Sequence, residues 1–182
     1  MENQTLINQI LALFKKYQNQ PLEYFLIAKI EVFLPVKIQK GIKFRQISSQ
    51  NTAQIIDFIT ENQAIKITLI HKTLTNQLIE NNNYSIDNQL FIKLFSKKEL
   101  DYFLQIANDK NPVHYTSNPI VPGLLILENI LESQIPSPKY FSIKFNNPLF
   151  LQNELKVHQL VDNELIGEAN NIPIFHFKKT IN

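Results

Sequence analysis

Cysteine is absent from all 182 residues, which removes a disulfide framework, a thiol nucleophile and a thiolate metal site at once and fits a reducing compartment. Glycine occurs only three times, so there is no glycine-rich phosphate loop and no motif for nucleotide hydrolysis or dinucleotide binding. An excess of one charge is also missing. With 18 basic against 16 acidic residues and a net charge of +2, and no Lys/Arg run interleaved with aromatics, the chain lacks the footprint of a nucleic-acid binder. No apolar run nears the roughly 20 residues of a membrane span. The opening Met1-Glu-Asn-Gln-Thr-Leu-Ile-Asn-Gln-Ile10 is polar and has no basic segment followed by an apolar block, so no secretory leader is read there. The expectation is a soluble, cytoplasmic protein with no nucleic-acid partner and no membrane span. His71, His158 and His176 share no ligand spacing with carboxylates, and no metal is expected. What is present is 44% apolar residues, enough to bury a core as one domain or as two fused small ones.

Against this background one stretch stands out. Ile106-Ala-Asn-Asp-Lys-Asn-Pro-Val-His114 gathers a carboxylate, an amide and an imidazole around a proline. Pro112 fixes its own φ and biases Asn111 toward extended geometry, which puts Asp109 and His114 on a stiff turn. Rigid placement is what acid/base chemistry needs. Nine residues beyond His114 stands Gly123, in Pro119-Ile-Val-Pro-Gly-Leu-Leu-Ile-Leu-Glu128, where a Pro-Gly pair opens an apolar run of helical spacing. Each residue alone also has a plain structural role: Asp109 as a turn cap, His114 as a partly buried hydrogen-bonding residue, Pro-Gly as a helix start. Only their combination points to chemistry.

A repeat organises the chain. Pro35-Val-Lys-Ile-Gln-Lys-Gly-Ile-Lys-Phe44 lies over Pro148-Leu-Phe-Leu-Gln-Asn-Glu-Leu-Lys-Val157 without a gap, at an offset of 113 residues. The same offset brings Ile30-Glu-Val32 onto Ile143-Lys-Phe145, and the amphipathic stretch Leu6 to Tyr17 onto Pro119 to Ile130. Each half reads helix, strand, proline, strand. The second half begins with Ser96-Lys-Lys-Glu99, a capping-box pattern opening a helix through about Ile106. Ile55 to Thr60 and Ala64 to Lys72 read as strands, and Asn81 to Ser85 as a turn or linker. Phe141, Phe145, Phe150, Phe175 and Phe177 are expected in the core or on a sheet face.

The pattern Asp-x-Asn-Pro-x-His, preceded by Phe95-Ser-Lys-Lys-Glu-Leu-Asp-Tyr-Phe103 and followed by the strand, proline, turn and strand of Ile143 to Lys156, resembles the MaoC-like, or (R)-specific enoyl-CoA hydratase, branch of the hotdog fold. Resemblance and repeat together imply an α+β double hotdog, with curved antiparallel sheet around central helices. Residues 1–90 would form a degenerate, truncated half without a site, and 91–182 the half that carries the motif. The resemblance implies that Asp109 and His114 hold one water as the catalytic pair. It gives Asn111 the task of shaping the turn and orienting that water, and the backbone N–H of Gly123 the task of receiving the thioester oxygen. The implied partner is an acyl-CoA or acyl-carrier-protein thioester, with no cofactor.

The same Pro-x-x-Pro-Gly run is similar to the 3-hydroxyacyl-carrier-protein dehydratases, whose glutamate sits where Glu128 does. In that family the histidine and glutamate of a site come from opposite units, and the repeat offset puts Lys15 at the corresponding place. Glu128 is therefore an acid only if two chains exchange partners in a homodimer, and otherwise lines the pocket. Asn108 stands where the family has glycine, and Pro122-Gly123 where MaoC-like proteins have histidine-glycine. Two other readings stay open: a catalytically silent hotdog subunit that binds acyl chains or pairs with an active partner, and a hotdog thioesterase.

Overall fold

The computed structural model describes residues 7, 8, 10, 11, 24–33, 42–50, 53–60, 65–72, 88–133 and 138–180, with residues 42–50, 53–60, 71 and 72 described by their backbone course. The expected turn at Asn81 to Ser85, Pro35, Lys15 and most of the helix from Leu6 to Tyr17 lie outside these residues; of that helix, Ile7, Asn8, Ile10 and Leu11 are seen to be helical.

The described strands are β1 (Leu26–Phe33), β2 (Ile42–Gln50), β3 (Ala53–Thr60), β4 (Ile65–Lys72), β5 (Gln89–Lys93), β6 (Tyr140–Phe145), β7 (Leu155–Val161), β8 (Glu164–Ala169) and β9 (Ile172–Thr180). They form one sheet of nine strands in the order β2-β3-β4-β1-β6-β9-β8-β7-β5, and every pairing is antiparallel. Read outward from the β1–β6 junction, the order is β1, β4, β3, β2 on one side and β6, β9, β8, β7 on the other, with β5 added at the outer edge. In the junction Ile30 stands opposite Ile143, its own equivalent in the 113-residue repeat. A pair of related units can do this only about a local two-fold axis, because only there does a position meet its counterpart.

Alternation of side chains sets which face of the sheet is inside. Ile65, Ile67 and Leu69 of β4, Phe141 and Ile143 of β6, Leu155 and Val157 of β7, and Phe175 and Phe177 of β9 are all buried in one core. The rings of Phe141 and Phe177 stack within it, 5.6 Å between centroids. Phe145 also packs against this core, edge-on to Phe175. Intervening residues such as Lys66, Ser142, Lys144 and Lys178 face the other way.

Two helices complete the described second half, α1 (Lys97–Ala107) and α2 (Gly123–Glu132). The second buries Leu124, Leu125, Ile126, Leu127, Ile130 and Leu131 and carries Glu128, Asn129 and Glu132 along its remaining flank. Its wide apolar face shares one core with the inner face of the sheet. Ile7, Ile10 and Leu11 join the same core from the N-terminal helical segment. This is the double hotdog arrangement expected from the sequence. Among the described residues no helix is long and apolar enough to cross a membrane.

The capping box at the start of α1 forms as its sequence directs. Ser96 Oγ accepts from the Glu99 backbone N–H, and the Glu99 carboxylate accepts from the Ser96 N–H. Lys93 of β5 donates to the same carboxylate, and these bonds hold the Glu99 pKa down at about 2, the lysine contributing most. A depressed carboxyl pKa stabilises the fold above the unfolded value and loses that contribution as pH falls toward the folded one. Because the Glu99 side chain is 42% exposed, solvent screening limits its worth to about 1 kcal/mol. Glu99→Gln is expected to cost that much at neutral pH, and the gap to the parent protein should close between pH 4.5 and about 2, as read by denaturant titration at a series of pH values.

Candidate active site

α1 ends by design next to the acid/base turn. Its C-cap, Asn108, takes a left-handed conformation at φ 51, ψ 38, and its N–H bonds back to Gln105 and Leu104 carbonyls. Glycine tolerates this conformation best, and asparagine is among the few side-chain-bearing residues that adopt it routinely. The departure from the family glycine at 108 therefore preserves the backbone path. Asp109 follows at once, its N–H donating to Leu104 O at 3.0 Å.

Three short bonds then close the turn. Asp109 Oδ1 accepts from the Asn111 N–H at 2.9 Å. Pro112–His114 form one 3-10 turn, capped by Asn111 in the extended geometry that a following proline imposes. The His114 N–H donates to Asn111 O at 3.1 Å. Tyr115, which the sequence did not single out, donates its hydroxyl to Asp109 O at 2.6 Å and ties the residue just past the turn to its first. Partial desolvation, and then the negative charges of Asp109 and Asp101, hold the Tyr115 phenol above its ordinary pKa, so it keeps its proton for this bond.

The imidazole of His114 is buried beneath the turn. Its Nδ1 lies 2.6 Å from Ile120 O. A carbonyl can only accept, so Nδ1 carries a proton, and in the neutral form of the ring Nε2 on its other side is a lone-pair acceptor. Ile120 is itself held by a short ladder outside the main sheet: it bridges to Phe150, Val121 N–H donates to Leu149 O, and Leu151 N–H to Pro119 O. Nε2 faces Asp109 Oδ2 at 3.5 Å, with the histidine side chain 6% and the aspartate 31% exposed. That distance is too long for a direct hydrogen bond, and both atoms are acceptors while the ring is neutral. Two acceptors so placed can share one molecule that has two protons on a single oxygen.

Gly123 is the first residue of α2, following Pro122, so its N–H has no carbonyl one turn back to bond and is directed out of the helix. Nothing larger than glycine fits comfortably: a Cβ there would lie 3.1 Å from the Phe145 ring and 3.5 Å from Ile27 Cβ. Glu128 is half-buried on α2, about 140° around the helix from Gly123 by helical geometry. Asn111 is engaged by its neighbours. Its Oδ1 accepts from Tyr24 N–H at 3.1 Å and more weakly from Val113 N–H at 3.4 Å, and its Nδ2 donates to Phe25 O at 2.7 Å. The structure thus brings Asp109, Asn111 and His114 together on one turn.

Two other histidines lie near glutamates that sequence spacing did not reveal. His176 lies 2.8 Å from Glu164 and His158 3.4 Å from Glu168, both across neighbouring strands. Among the described residues no group of three or more His, Asp or Glu is arranged to hold a metal ion.

No protein-family model and no curated protein matches this chain in sequence. Solved structures do match it in shape. HtdX from Mycobacterium tuberculosis superimposes with a TM-score of 0.66 at 12% identity, over 96% of this chain and 84% of its own. Full-length peroxisomal multifunctional enzyme type 2 from Drosophila melanogaster gives 0.61 at 10% identity, over 95% of this chain and 40% of that longer one. A MaoC-like dehydratase from Phytophthora capsici gives 0.56 at 13% identity, over 90% and 74%. At such identities the likeness is one of fold.

Proposed function

We propose that this protein is an enoyl-thioester hydratase, interconverting trans-2-enoyl and (R)-3-hydroxyacyl thioesters of coenzyme A or acyl carrier protein. One observation carries the reading: an aspartate oxygen and an imidazole nitrogen held 3.5 Å apart by a closed turn, with the tautomer fixed from behind by Ile120 O. A water resting against both atoms from one side donates one hydrogen to each. In the hydration direction the pair removes one proton as the water oxygen bonds C3, and a proton returns from the pair to C2, so the elements of water are added across the double bond. Negative charge that develops on the thioester oxygen needs a donor, and the Gly123 N–H at the head of a buried helix is suited to it. Asn111 shapes the turn, and Glu128 is read as a residue of the acyl pocket. The first half, taken as a unit of about residues 1–90 without a site of its own, encloses the pocket. That HtdX and a MaoC-like dehydratase have this fold is consistent with the reading.

Purified protein given crotonyl-CoA and longer trans-2-enoyl-CoAs is expected to bleach the conjugated enoyl absorbance without releasing free thiol. Thiol release would identify a thioesterase instead, and acyl binding without either change a silent acyl-binding subunit.

A further inference from the structure

The Asn111 side chain reaches 87 residues back along the chain, where its amide pairs with the backbone of Tyr24 and Phe25 much as a neighbouring strand would. The orientation of the amide is fixed by its partners, since one end meets two N–H donors and the other a carbonyl. Tyr24 adopts φ 67, a left-handed conformation that a bulky residue rarely takes and that persists only where the surroundings enforce it. Three residues further on, near the start of β1, Ile27 packs where a Gly123 side chain would begin, 3.5 Å from that position. One short segment of the first half therefore touches both parts of the site in the second: the turn that carries Asp109 and His114, and the helix end that carries the Gly123 N–H.

From this we infer that Tyr24–Ile27 is a spacer that sets the site of the second half, and that Asn111 is a positioning residue acting on His114 and Asp109 through it. The inference rests on the hydratase reading for its catalytic consequence, but its structural core is independent of the reaction. The site is then composite: the half that lacks the Asp-x-Asn-Pro-x-His motif supplies the distance between the water-holding pair and the thioester-oxygen donor. Reacting groups misplaced by about 1 Å can lose on the order of a hundredfold in rate.

Asn111→Asp keeps the shape and the acceptor but removes the donor to Phe25 O, setting a carboxylate against that carbonyl. Ile27→Ala loosens the other contact and serves where the first variant folds poorly. Each is expected to lower kcat by roughly ten- to a hundredfold with KM little changed, the pattern of an interaction that matters in the transition state. In Asn111→Asp the Tyr24 amide should exchange faster with solvent, and the ring-nitrogen NMR signals of His114 should move. Parent-like kcat together with unmoved His114 signals, in a folded variant whose Tyr24 amide has lost protection, would overturn the inference. If the parent protein does not hydrate enoyl thioesters, the hydratase reading falls alone. The spacer is then decided by His114: displaced signals in Asn111→Asp support it, and superimposable ones refute it.

Discussion

Asp109→Asn and His114→Ala are each expected to reduce hydration of a trans-2-enoyl thioester by roughly a hundred- to ten-thousandfold, the range for loss of a positioned acid/base group. The two fail for different reasons. In Asp109→Asn the Oδ1 side can still accept from the Asn111 N–H, so the turn survives. The new amide, however, turns a donor toward His114 Nε2 in place of the acceptor Oδ2, so the pair no longer offers two acceptors to one water. In His114→Ala both the lone pair and the Nδ1 donor vanish. That leaves Ile120 O, now bonded at 2.6 Å, without its partner at a cost of about 1–3 kcal/mol. Asp109→Asn should therefore unfold near the parent temperature and His114→Ala below it, while both lose turnover. Initial rates from enoyl absorbance, measured beside thermal unfolding, separate the two effects. Unchanged turnover in either variant removes that residue from the mechanism.

The largest stability effect is expected far from the site, at Gly167. This residue pairs with Phe175 across β8 and β9, and a Cβ on it would come within 2.1 Å of the Phe175 ring. Phe175 is fully buried, so its ring cannot swing out to solvent. Gly167→Ala must push the ring into a close-packed core, which costs on the order of 1–3 kcal/mol or more. Adding Phe175→Leu to Gly167→Ala should recover part of the loss, although Phe175→Leu alone is itself destabilising. Denaturant unfolding of the two single variants and the double variant completes a cycle whose coupling is expected to be about 0.5–3 kcal/mol. Strictly additive losses would mean that the ring does not lie against the glycine.

The features legible in the sequence were those governed by local rules. The Ser96–Glu99 box, the apolar run after Pro122-Gly123 and the strand around Ile143 each carry their signal within one or two turns of chain, and each forms as read. The repeat was readable because the strands of both halves keep the 113-residue spacing closely enough for Ile30 to meet Ile143. What could not be read depends on distance in the fold. Nothing near Tyr24 or Phe25 announces that Asn111 will bind their backbone, because the contact follows from where two remote loops meet. The glutamate partners of His158 and His176 are set by strand register in the same way. Tyr115 was closer to reach: a hydroxyl one residue past the turn is in range of its first carbonyl, and turn geometry alone would have suggested the bond.

The self-facing junction between β1 and β6 bears on how this molecule can change. In a two-chain assembly of identical subunits, any substitution on the shared strand is written twice, and both sides of the axis must accept it together. Here Lys29 faces Lys144 on one side of the Ile30–Ile143 pair, whereas the symmetry-related contact on the other side joins Glu31 to Ser142. In one covalent chain the mirror positions are free to differ, and here Glu31 holds Lys29 by a 2.9 Å ion pair beside that two-lysine contact. A single continuous chain can thus keep the mechanical seam of a dimer without writing the same residue on both sides of it.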